Sequence, residues 1–106
     1  MSDIVRHSGA LWIWHGETNG TWHFVTIDGA AGDAIRAHEA IRRLEFGKGR
    51  GFGSVKVRAT IGASEWTTSV FPSSSSGGFI LPVKAAIRKA EGVAEGDRVT
   101  IELELL

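Results

Sequence analysis

The sequence predicts a mainly β fold, a small closed β-barrel with two short helices, and three observations carry that prediction. Six short segments are rich in β-branched and aromatic residues or alternate apolar with polar side chains, the period-two pattern of strands with one wet face. Turn residues recur every several positions between them, which suits consecutive hairpins better than the strict strand–helix alternation of an open parallel sheet. The chain has 106 residues, enough for one core and too few for a second, so a single domain over 1–106 is expected. Closing the sheet also removes edges that invite aggregation.

The elements follow in order. After a polar start, Leu11, Trp12, Ile13 and Trp14 form the first strand by composition. The segment 16–20 turns it back into a second strand over 21–27, with Asn19 and Gly20 supplying the positive φ angles of a tight reversal. Asp28 or Asp33 can cap a helix over about 33–44, in which Ala34, Ala37, Ile41 and Leu44 share the face expected to be buried. Gly47, Gly49, Gly51 and Gly53 break that helix and lead into a strand over 54–61. There Val55, Val57, Ala59 and Ile61 alternate with Ser54, Lys56, Arg58 and Thr60, so one side is core and the other wet. A turn at 62–64 gives a Trp66-bearing strand over 65–71, ended by Pro72, which cannot donate to a ladder. The polar loop 73–78 precedes a brief strand at Phe79, Ile80 and Leu81. Pro82 suits the first position of a short helix, whose buried stripe is Val83, Ala86, Ile87 and Ala90 and whose stop is Gly92. Val99, Ile101, Leu103 and Leu105 alternate with Arg98, Thr100, Glu102 and Glu104 in the last strand. Lys56 and Arg58 are expected to face solvent or pair with Glu102 and Glu104.

Composition excludes several functions. Hydrophobic and charged fractions of 42% and 23% are those of a folded domain, and a formal net charge of zero argues against a coat for nucleic acid or anionic membrane. The absence of cysteine removes disulfides, thiolate metal sites and cysteine nucleophiles. The first residues lack a basic region followed by an apolar core, and no apolar run approaches the roughly 18 residues that span a bilayer, so a cytoplasmic protein without a membrane partner is expected. His7, His15, His23 and His38 show no metal-ligand spacing. Ser73, Ser74, Ser75 and Ser76 lie in no nucleophile elbow, and Lys48 is not followed by the Ser or Thr of a phosphate loop. No catalytic residue, metal or cofactor is therefore assigned.

Four blocks, read together, carry a resemblance: 50–58 with Arg50, Gly51, Phe52 and Gly53; 66–72 from Trp66 to Pro72; 77–90 with Pro82, Lys84 and Arg88; and Glu95, Gly96 and Asp97. In that order and spacing the chain resembles the bacterial family DUF1905, a domain of unknown function. The resemblance implies a small closed barrel with Greek-key connections, related in topology to the double-psi barrels. It implies no reaction.

Two motifs point toward nucleic acid, and both have a plainer explanation. The block from Arg50 to Val57 approaches an RNA-recognition signature, but Ser54 and Val57 stand where that module carries aromatic rings. The segment from Leu81 to Val99 resembles the swapped-hairpin transcription factors, yet Glu91, Glu95 and Asp97 surround it and the net charge is zero. Lys84 and Arg88, four residues apart, share a helix face, and Arg50 adds a forked donor, so these three form a candidate site for an anionic small molecule or a partner's acidic group. The reading that results is a non-catalytic ligand-binding or protein-interaction module, with a nucleic-acid-binding module as the alternative.

Overall fold

A computed structural model of the chain describes residues 3–16, 20–46, 53–75 and 77–106, with nothing said of the Phe46 side chain. Six strands, β1 (Asp3–His15), β2 (Thr21–Ile27), β3 (Val55–Ile61), β4 (Ser64–Pro72), β5 (Phe79–Pro82) and β6 (Arg98–Leu105), close a barrel in the order β1-β2-β5-β4-β3-β6. All six pairs are antiparallel. Helix α1 (Gly29–Phe46) connects β2 to β3, and α2 (Ala85–Glu91) lies between β5 and β6. No helix among the described residues is long and apolar enough to cross a membrane.

The alternation read from β3 and β6 sets the interior. Val55, Val57, Ala59 and Ile61 meet Val99, Ile101, Leu103 and Leu105 in the core, and the two strands are neighbours, with Val57 opposite Leu105 and Ala59 opposite Leu103. On the wet side Arg58 donates to Glu104 at 2.7 Å. Trp66 is buried on the same side of β4 as Val70, where its large apolar surface fills the barrel opposite Ala59.

Three expectations are corrected. The polar start is part of a strand: β1 pairs with β6 from Asp3 opposite Leu105 to Ala10 opposite Arg98, then switches to β2 from Leu11 onward. Arg6, His7, Ser8 and Gly9 have little strand propensity of their own, so the ladder to the closing strand, with Val5 buried, imposes the conformation.

The second correction concerns α1. Ala34 and Ala37 are exposed, Ile41 is 55% and Leu44 86% exposed, and the helix instead buries Gly32 and Ile35. Its docking side includes His38, whose ring meets the Asp3 carboxylate and the Leu106 carbonyl, each at 3.3 Å. A contact face that is part glycine and part polar carries almost no hydrophobic periodicity, so the alanine-rich stripe one position away looked stronger.

The third lies at α2. Pro82 does not begin the helix; it ends β5 opposite Phe24, and the ladder runs one residue further through the Val83 N–H to the His23 carbonyl at 2.9 Å. Lys84, with φ −70° and ψ 159°, is the extended N-cap. Val83 and Ile87 are buried as expected, whereas Ala86 and Ala90 are exposed. Gly92 ends the helix in the left-handed conformation, φ 63°.

Candidate functional site

Of the three residues assigned to an anion site, Arg50 lies outside the described residues, and Lys84 and Arg88 bracket the first turn of α2. Lys84 is exposed. Arg88 is half-buried and turns toward the barrel, where its Nε donates to the Val83 carbonyl and its Nη1 to His23 Nε2, both at 3.2 Å. With Nε2 accepting, the His23 proton resides on Nδ1, which is buried without a hydrogen-bond partner among the described residues. Burial holds the His23 pKa below its ordinary value, and the Arg88 charge and, more weakly, His15 lower it further against the opposing pull of Glu95. In this arrangement Arg88 braces α2 on the sheet.

A different surface stands out on the outside of β1, β2, β4 and β5. Leu11 and Val25 point into the core, so the alternation sends Trp12 and Trp14 of β1, and Trp22 and Phe24 of β2, outward. The hairpin register places Trp12 opposite Phe24 and Trp14 opposite Trp22. Trp12 and Phe24 tilt against each other with centroids 5.1 Å apart, and Trp22 stacks alongside Phe24 at 6.4 Å. Phe71 of β4 pairs with Ile80 of β5 on the same outer face. Together these six side chains line a groove of about 430 Å³. Trp14 is 50%, Trp22 57% and Phe71 43% exposed, and no charged residue among the described residues lines the groove.

The strand segments at 11–14, 21–27, 65–71 and 79–81 are legible in the sequence, but the face they build is not. Both sides of the first hairpin are apolar, so composition alone does not say which side is wet. The signal lay in the pairing: once Leu11 of β1 and Val25 of β2 are known to point inward, the remaining rings must gather on one surface.

Elsewhere the chemistry is sparse. Among the described residues no group of three or more His, Asp or Glu could hold a metal ion. Arg58 on β3 is matched by Glu104 and, at 4.0 Å, by Glu65, while Gly51 and Phe52 of the RNA-like block lie outside the described residues. The model of a family described as a domain of unknown function (DUF1905) matches residues 8–103. No curated protein matches the chain.

Proposed function

Because the chain belongs to the DUF1905 family, whose description assigns no reaction, we propose from its own surface that it is a binding module whose aromatic face seats an uncharged guest. The carrying observation is the gathering of Trp12, Trp14, Trp22, Phe24, Phe71 and Ile80 around one groove, with three of the rings substantially exposed. Leaving a large apolar side chain in water forgoes about 1.5–3 kcal/mol relative to burying it. A guest that covers this face recovers part of that, and buried Trp side chains are frequent energetic anchors of interfaces. The lack of charge among the described lining residues supports a neutral guest over a phosphate-bearing one.

Titration with Nile red, a neutral apolar dye, tests the reading. Saturable binding that is insensitive to salt, and is lost in the Trp22→Ala/Phe71→Ala double variant, is expected. Undiminished binding by that variant overturns it. Capture of an oligonucleotide that fades steeply with salt would favour the nucleic-acid reading instead.

A further inference from the structure

Beside the aromatic groove the pairing of β1 changes. β1 is paired with β6 as far as Ala10 and with β2 only from Leu11, so the ladder of the first hairpin stops where β1 changes partner. At that point lies a cleft of about 370 Å³ whose lining includes His7, Ser8, Trp12, Thr26, Asp28 and Arg98. Trp12 lines both this cleft and the groove. Its Nε1 donates to Thr26 Oγ1 at 2.9 Å, which fixes the indole at the junction.

The cleft holds polar groups with unspent capacity. The Asp28 carboxylate is 62% exposed and stands 3.7 Å from His7 Nε2, beyond hydrogen-bond length. The Arg98 side chain is exposed and makes no hydrogen bond or ion pair with the described residues. A carboxylate that accepts on two oxygens and a guanidinium that donates from a planar fork therefore line one cleft beside three outward indoles. Their opposite charges leave neither an anion nor a cation favoured by both.

Resting on the proposal that the aromatic face binds an uncharged guest, we infer that groove and cleft form one site for a neutral hydroxylated ring, a short saccharide. The C–H faces of such a ring are apolar and pack on indole, while its rim of hydroxyls both donates, as Asp28 requires, and accepts, as Arg98 requires. A purely apolar guest extending into the cleft would desolvate these groups without replacing their hydrogen bonds with water. A proline-rich segment stacks on aromatic grooves but presents carbonyl acceptors without N–H donors for Asp28. A nucleic-acid strand brings phosphates that Asp28 repels. Each opening also falls within the range of about 300–1,000 Å³ usual for small-molecule sites.

Calorimetric titration with neutral oligosaccharides at millimolar concentration (cello-, malto-, xylo- and N-acetylchito-oligosaccharides), run in parallel with Nile red, tests the inference. Saturable, salt-insensitive binding of at least one oligosaccharide is expected. It should weaken about tenfold in Trp22→Ala and in each of Asp28→Asn and Arg98→Met, whereas Nile red should respond only to the first. All three side chains are substantially exposed, and unchanged thermal melts verify that the variants fold. Nile red binding without any saccharide binding overturns this inference and leaves the aromatic face standing. Saccharide binding that ignores both Asp28→Asn and Arg98→Met also overturns it, because the cleft is then unused. Failure of both probes removes both readings.

Discussion

At the residue scale, His23 and Arg88 make a pair in which a neutral imidazole accepts from a permanent cation. A proton added to His23 would face the Arg88 guanidinium in a desolvated position, with His15 adding to the repulsion and Glu95 offsetting part of it. The folded pKa is therefore lower than the unfolded one, and between the two values the unfolded chain binds more protons. This group's contribution to stability is intact above the ordinary histidine pKa of about 6.5 and is lost as pH falls from there toward the lowered folded value, with no further loss below it. A decline of melting temperature over that window is expected, and His23→Gln should flatten it. A decline of the same size in the variant would assign the effect to other groups.

The tryptophans differ as sharply. Trp66 is 8% exposed while Trp14 and Trp22 are half exposed. A variant retaining only Trp66, with the other three replaced by Phe, should resist acrylamide quenching, and one retaining only Trp22 should be quenched readily. Equal quenching in both would contradict the burial of Trp66.

At the element scale, α1 is seated by close backbone approach more than by an apolar stripe. A Cβ on Gly32 would stand 2.9 Å from the Ile27 carbonyl oxygen, and one on Gly78 would collide with the same carbonyl and with Asp28. Gly32→Ala ordinarily gains about 0.5–1 kcal/mol inside a helix, but here the contact should reverse the sign. Gly78→Ala should cost more, since backbone atoms rather than a flexible side chain would have to move. Ile35→Ala should destabilise by about 2–5 kcal/mol, while Ile41→Gln and Leu44→Gln should stay within about 0.5 kcal/mol. Urea unfolding curves check all of these, and a large loss at Leu44 would mean that α1 docks on its other face.

At the scale of the whole molecule, closure depends on β6, which joins β1 to β3. Val57→Ala and Ile101→Ala, on strands that meet there, should each cost on the order of 1–4 kcal/mol through lost burial and a residual cavity. The outer ion pairs Arg6–Glu102 and Arg58–Glu104 span the same two seams, at 2.9 and 2.7 Å. They are solvent-accessible, so removing either should change stability by no more than about 1 kcal/mol, less at high salt. Unchanged melting of Ile101→Ala would refute the closed core.

The sequence by itself determined the strands with clean alternation: β3 and β6 declare their inner faces because polar residues occupy the other side, and the turn residues between the strands leave hairpins as the economical pairing. It also determined the stop of α2 at Gly92, where positive φ suits glycine. What only the tertiary structure decided are the elements whose local pattern is weak or double-sided. The start of β1 is a strand because β6 requires a partner, and α1 turns its glycine and histidine inward because the barrel end it covers offers backbone carbonyls. The aromatic face exists because a hairpin apolar on both sides can bury only one of them. The cleft at Trp12 arises where one strand serves two neighbours in turn. Long-range pairing sets each of these outcomes, and a local window of sequence contains no record of which distant strand supplies the partner.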